Sequence, residues 1–299
     1  GEQMPVHEDA RLAVKFIEKS HQQGKPWFIN LWVHEPHTPF HTLPKYRWRF
    51  RDLAEEDNIY ASVLSHADDR IGEVLDCLDR LKITDNTLVI FTSDNGPARA
   101  SGPVKLELMH DTATGAGYGI GAAKGITGGR KGYKGALFEG GIGVPFIARW
   151  PGKIPAGKID KSSLLSAVDL LPTLCAIAGA ELPKGYQPDG LNQLSVLKGK
   201  PKTKREKPLF WKMSAPWPAR PSRPDHWVAY AVVDKQWKLV ANRDLSHIEL
   251  YDIVASPYEK EDLKAGHPAV VDVMKKQLAS WMASLPEEPD KECFSVERK

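Results

Sequence analysis

The chain has 299 residues, 41% hydrophobic and 26% charged, with a formal net charge of +3. That is long enough to bury a sizeable core in one large domain or two unequal ones, and too nearly balanced in charge to suggest nucleic acid as a partner. Cys77, Cys175 and Cys293 form no CxxC pair, which argues against a disulfide framework or a thiolate zinc site, and no run of 18 apolar residues predicts a membrane span.

In chain order, Leu12, Ala13, Phe16 and Ile17 recur at helical spacing, predicting a helix over 8–21 that Gly24-Lys25-Pro26 ends. Trp27 to Val33 reads as a buried strand. Ile59, Val63, Leu64, Ala67, Ile71, Val74, Leu75, Leu78 and Leu81 mark a longer helix with one apolar stripe. A strand over 87–93 follows, and the alternation of helix and strand predicts a doubly wound α/β sheet. The segment 97–134 lacks periodicity, and nine glycines within residues 115–135 mark it as a loop, either a mobile surface element or a place where backbone approaches a ligand.

Phe146 to Trp150 is a further strand closed by Pro151-Gly152, and Leu164 to Ile177 carries an amphipathic helix capped by Gly179. The lysine-rich segment 198–208 reads as an exposed linker. Beyond it, Trp227–Val233, Trp237–Ala241 and Glu249–Asp252 are spaced as hairpin strands, and a helix over 268–284 closes the chain. The expected organisation is a partial α/β domain over 1–197, then a linker and a C-terminal α+β subdomain over 198–299.

Three segments carry chemistry. The apolar run Leu88-Val-Ile-Phe-Thr-Ser stops at Asp94-Asn95-Gly96-Pro97, and sites in α/β sheets lie beyond the carboxyl ends of strands. A carboxylate beside an amide oxygen suits Ca²⁺ or Mg²⁺; the same residues also suit an Asx turn. His34-Glu35-Pro36-His37-Thr38-Pro39 follows the strand that ends at Val33, where His37 could donate a proton to a leaving oxygen or bind an oxyanion, although a proline-rich turn accounts for it too. Lys134 follows the glycine-rich loop and enters an apolar segment; it is either a solvated surface lysine or a point charge for a sulfate or phosphate oxygen. Phosphate-loop readings fail: Ile159 stands where Gly152-Lys-Ile-Pro-Ala-Gly157-Lys158 would need a hydroxyl for Mg²⁺.

Taken together, WVHEPHTPF (32–40), NTLVIFTSDNGP (86–97), KGALFEGGIGVPFIARWPG (134–152), VDLLPTLCAIAG (168–179) and ELYDIVASPYEKEDL (249–263) resemble the sulfatase family of the alkaline-phosphatase-like superfamily. The resemblance implies an α/β fold with a doubly wound mixed sheet and a small C-terminal antiparallel sheet and helix. It also implies hydrolysis of a sulfate ester of a small molecule or carbohydrate, Ca²⁺ held by Asp94 and Asn95, and contacts to the sulfate from His37 and Lys134. Gly143 departs from the family, which often has Arg there. The family's Asp-Asp metal pair, its Cys-x-Pro-Ser-Arg nucleophile motif and its Gly-Lys-x-His segment are absent from these 299 residues, so formylglycine, the family's modified nucleophile, is not expected to form here. Ala219-Arg-Pro-Ser-Arg223 mimics the motif with alanine in the cysteine position. The expectation is therefore the C-terminal portion of a sulfatase, inactive alone and partnered by a missing N-terminal half. A phosphate or phosphonate ester hydrolase of the same superfamily and a non-catalytic binding or structural fragment are the alternatives. Charge balance and the lack of a long apolar run suggest neither a nucleic-acid nor a membrane partner, and the resemblance leaves the compartment open, the family being often periplasmic, secreted or lysosomal.

Overall fold

The computed structural model describes residues 5–98, 108–111, 115–200, 205–213 and 224–286. The described chain forms two compact units interleaved in sequence: residues 1–128 with 144–157, and residues 129–143 with 158–299.

In the first unit, helix α1 (Pro5–Gln22) packs on the long helix α3 (Glu55–Arg80). Ile17, Cys77 and Leu78 are buried between them, with Trp27, Ile29 and Val89 packed alongside. The Arg80 guanidinium donates to Glu18 at 2.8 Å across the same pair. The short helix α2 (Pro44–Arg49) starts at a proline, which suits a position whose N–H has no partner within the helix. Strand β1 (Val89–Thr92) pairs antiparallel with β4 (Phe146–Arg149), Thr92 opposite Phe146 and Phe91 opposite Ile147.

Two expectations are corrected here. Residues 27–33 alternate between half-buried and exposed side chains as a strand would, yet they are not a strand: a ladder requires a neighbour's N–H and C=O groups, and no described residue supplies them. The loop after Pro97 is not wholly irregular either, since β2 (Leu108–Asp111) and β3 (Gly115–Tyr118) form an antiparallel hairpin and Tyr118 bridges to Phe40.

The second unit is built on an antiparallel meander, β5 (Leu209–Lys212), β6 (Tyr230–Asp234), β7 (Trp237–Ala241) and β8 (Ile248–Asp252), in that order. Alternation sends Ala231, Val233, Val240 and Tyr251 to one face, where Ala136, Leu137 and Phe138 pack. Tyr230, Val232, Leu239 and Leu250 face the other way, against Met274 and Leu278 of helix α7 (Pro268–Ser284). The segment that contains the short helix α4 (Glu139–Ile142) thus covers one face of this sheet. Helix α5 (Leu170–Ala178) ends at Gly179, whose φ of 66° gives the expected left-handed cap. Helix α6 (Leu194–Leu197) leads to Arg205, which is not an exposed linker residue: its guanidinium is buried and makes two bonds, 2.7 and 2.8 Å, to the Asp169 carboxylate. Lysine-rich composition conceals such a residue because the buried partner lies 36 positions away.

Candidate functional site

Asp94 and Asn95 lie just beyond the carboxyl end of β1. Thr92 fastens that end by donating its hydroxyl to the Pro145 carbonyl at 2.9 Å, so the turn starts where the two strands part. Ser93 Oγ donates to Asn95 O at 3.1 Å, and the Asn95 amide nitrogen donates to Gly96 O at 2.8 Å. The second bond commits the Asn95 nitrogen to backbone and leaves its side-chain oxygen as an acceptor. Asp94 is exposed and Asn95 half-buried. Two hard-oxygen side chains match Ca²⁺, which takes roughly six to eight oxygens, so this pair fits as part of a coordination shell. Among the described residues no group of three or more His, Cys, Asp or Glu could hold a metal.

His37 lies in the turn before Phe40. Its Nδ1 is 2.7 Å from Thr38 O, and its ring meets the His34 ring edge-on at 5.8 Å. A carbonyl can only accept, so Nδ1 carries the proton of that bond and the neutral ring has Nε2 as its acceptor. The imidazole is exposed.

The glycine-rich loop packs against both turns. A Cβ on Gly117 would stand 2.8 Å from Pro39 Cβ and 3.0 Å from Phe40 O; one on Gly125 would stand 2.5 Å from Pro97 Cβ and 3.2 Å from the Tyr60 hydroxyl. Glycine is required at these positions for close approach. Nearby, Phe40, Ile59, Val63 and Ala122 form a small buried cluster.

Lys134 belongs to the second unit. It sits between Gly132 and Gly135, whose φ angles of 79° and 88° lie in the left-handed region, in a turn where the Ala136 N–H donates to Tyr133 O at 2.9 Å. Lys134 is half-exposed, whereas Ala136, Leu137 and Phe138 are buried. The Gly135 backbone lies against the His226 ring, a Cβ there falling 3.5 Å from Cε1. Three residues before it, the Lys131 ammonium donates to Glu249 at 2.9 Å and to the Tyr251 hydroxyl at 3.0 Å, and lies 4.1 Å from the Phe138 ring centroid. Burial, together with the hydrogen bond to Glu249, pushes the Tyr251 hydroxyl well above its ordinary range. Three of the expected site residues, His37, Asp94 and Asn95, therefore share the first unit, and Lys134 is fixed to the second.

Sequence reading missed a buried ionic cluster that holds Glu139, five positions after Lys134. Lys238 on β7 is fully buried, with its ammonium 2.8 Å from Glu139 Oε1 and 2.9 Å from Glu259 Oε1. The Glu139 N–H donates to Glu259 Oε2 at 2.6 Å. Burial raises the Glu259 carboxyl above its ordinary range, against the pull of the Lys238 ammonium. The available signal was a lysine inside the otherwise apolar strand Trp237-Lys-Leu-Val-Ala241. Cys293 and the segment 219–223 lie outside the described residues, and among the described residues no helix is long and apolar enough to cross a membrane.

Comparison with known proteins matches the sulfatase family over residues 4–180, and the C-terminal domain of N-sulphoglucosamine sulphohydrolase over residues 131–285. An N-acetylgalactosamine-6-O-sulfatase of Bacteroides thetaiotaomicron is 30% identical over 277 residues, covering 87% of this chain and 48% of the relative. Mouse arylsulfatase G is 34% identical over 193 residues, covering 64% of this chain and 33% of the relative. The crystal structure of Ps i-CgsB superposes with a TM-score of 0.72 at 25% identity, covering 92% of this chain and 54% of that one. A further structure, from work on glycosaminoglycan metabolism by Bacteroides thetaiotaomicron, gives 0.66 at 27%, covering 91% and 53%. The chain thus spans about half the length of these relatives or less. The family match covers more than half of the chain, and its structural neighbours share the alkaline-phosphatase-like α/β arrangement; the chain belongs to the sulfatase family.

Proposed function

We propose that this chain supplies part of the active site of a sulfuric ester hydrolase acting on a sulfated carbohydrate, and that by itself it does not turn over. The observation that carries the reading is the Asp94-Asn95 pair, hard-oxygen donors held beyond the end of β1 in a chain of the sulfatase family. In this reading Asp94 and Asn95 contribute to a Ca²⁺ shell, with Mg²⁺ as the alternative ion. Such an ion, when bound, stabilises negative charge on the sulfuryl oxygens. Lys134 holds a sulfate oxygen as a point charge, and His37 assists departure of the alcohol. The carbohydrate class is supported by the relative that acts on N-acetylgalactosamine 6-O-sulfate and by the structure of Ps i-CgsB with k-i-k-neocarrahexaose.

Two observations support dependence on further chain. No Cys-x-Pro-Ser-Arg motif occurs in the 299 residues, and loss of a hydrolytic nucleophile can cost about 10⁶ in rate. In addition, Phe91 and Ile147, directly opposed on β1 and β4, are 47% and 61% exposed, where a doubly wound sheet is normally covered on both faces.

The test assays sulfate and phosphate esters with the 299-residue chain alone and with a complementing N-terminal half bearing the modified cysteine. The expected result is activity on sulfate esters only in the complemented protein, lowered again by His37→Ala or Lys134→Ala. Robust turnover by the chain alone, unaffected by either substitution, would overturn both the dependence and the residue roles. A preference for phosphate esters would replace the substrate class.

A further inference from the structure

The buried ionic cluster is built around the segment that carries Lys134. Lys238 is the second residue of β7, paired with Tyr251 on one side and Val233 on the other, and has no exposed surface. A charge placed there has no water to solvate it, so its two carboxylate partners are structurally obligatory. Both partners lead back to one place. Glu139 is the first residue of α4, five positions after Lys134, and Glu259 holds the Glu139 N–H as well as the ammonium. Glu259 itself adopts a φ of 51°, a left-handed conformation uncommon for a residue with a side chain. Packing overrides that local cost.

Gly143 completes the arrangement. A Cβ at this position would stand 2.6 Å from Glu139 O and 2.7 Å from Glu139 Oε2. Only glycine lets the Glu139 carboxylate lie over the end of α4 with its other oxygen on Lys238. Position 143 therefore carries no side chain that could meet this carboxylate, and the cation that does so comes from the sheet.

We propose that Lys238 and Glu259 are positioning residues for Lys134: the ammonium and the carboxylate clamp Glu139, fix the segment 131–143 on the C-terminal sheet, and so set where the Lys134 ammonium meets a sulfate oxygen. The proposal rests on the reading of Lys134 as the sulfate-binding lysine. It adds that the small sheet, which carries none of the four expected site residues, controls the affinity of one of them.

The experiment uses the full 299-residue chain as wild type, Lys238→Met, Glu259→Gln and Leu239→Ala. Leu239 neighbours Lys238 but is buried on the opposite face of the sheet, so its truncation controls for general loss of stability. Amide hydrogen exchange is followed at 131–143 and at α7, and inorganic sulfate is titrated with calorimetric detection under conditions where all four proteins are folded. Lys238→Met and Glu259→Gln should speed exchange at Glu139, Gly140 and Gly141 while α7 stays protected. They should weaken sulfate binding by roughly 2- to 30-fold, the range over which residues without ligand contact modulate a site. Leu239→Ala should loosen α7 and leave sulfate affinity unchanged. If Lys238→Met fails to fold, Glu259→Gln, which retains a hydrogen-bonding amide in place of the carboxylate, carries the comparison. Unchanged exchange at 131–143 in a folded Lys238→Met or Glu259→Gln protein overturns the proposal, as does an equal loss of affinity in Leu239→Ala. Faster exchange in Lys238→Met and Glu259→Gln, with no sulfate bound by the wild-type chain, would sustain the clamp and reject the role of Lys134 instead.

Discussion

The two units solve the same problem, a sheet with two faces to bury, to different degrees. The C-terminal sheet is closed on both sides: Ala136, Leu137 and Phe138 cover one face and α7 the other, and four consecutive residues of both β6 and β7 are buried. The pair β1 and β4 has α1 and α3 packed beside Val89 but leaves Phe91 and Ile147 exposed, as are Phe28 and Trp32 nearby in sequence to the His37 turn. A sheet carrying an uncovered apolar pair draws little stability from those residues, because their area is not removed from water. The contrast teaches which side chains hold this chain together and which are available for something else.

The largest expected effect tests the closed unit. Asp169 accepts two buried bonds from Arg205 and two part-buried ones from the backbone N–H groups of Ser166 and Leu191. Asp169→Ala leaves the guanidinium buried and unpaired and should destabilise the second unit by about 3–5 kcal/mol, read by denaturant unfolding with Trp fluorescence. Leu250→Ala, at a side chain with no exposure, should cost about 2–5 kcal/mol by the same measurement.

A smaller effect, confined to the first unit, depends on pH. His66 on α3 is buried against the Tyr46 ring, 5.0 Å away, with His7 at 6.4 Å and the charges of Arg70, Lys45 and Asp69 around it. Burial first, and then the Arg70 guanidinium, lowers its pKa from 6.5 to about 4. The unfolded chain therefore binds the proton more readily than the folded one. The contribution of neutral His66 is fully present above pH 6.5 and is lost as pH falls towards 4, at about 1.4 kcal/mol for each pH unit between the two values. His66→Gln should flatten that stretch of the stability profile; a slope unchanged by the substitution would assign it to other groups. The smallest effect sharpens the contrast from the other side: Ile147→Thr should change the stability of the chain by no more than about 0.5 kcal/mol, and a loss comparable with that of Leu250→Ala would show that the β1–β4 face is covered after all.

What could be read from the sequence is what repeats locally. The periodic apolar positions located α1 and α3 to within a few residues, because a side chain's burial in a helix follows from its period of 3.6, and hairpin spacing located β7. The glycine after α5 and the Asp-Asn step after β1 were legible for the same reason, since a left-handed cap and a strand end are properties of a few adjacent residues. Residues 27–33 marked the limit of this reading. The sequence predicts a buried strand there, yet Phe28 and Trp32 are 69% and 81% exposed; a strand is defined by its partner, and pattern alone cannot supply one.

Only the tertiary structure decided the rest. Lys238 meets Glu139 across 99 positions and Lys131 meets Glu249 across 118, and no local periodicity encodes such pairings. The same distance in sequence hid the anchoring of 131–143 on the C-terminal sheet: the sequence shows an apolar segment following the glycine-rich loop, but not that Ala136, Leu137 and Phe138 are buried against β6, β7 and β8. The chemistry proposed for this chain rests on residue types, the Asp94 and Asn95 oxygens, the His37 ring and the Lys134 ammonium. The cation chosen to hold Glu139 was decided by packing, because a buried charge is tolerable only where the fold has already brought its counter-charges together.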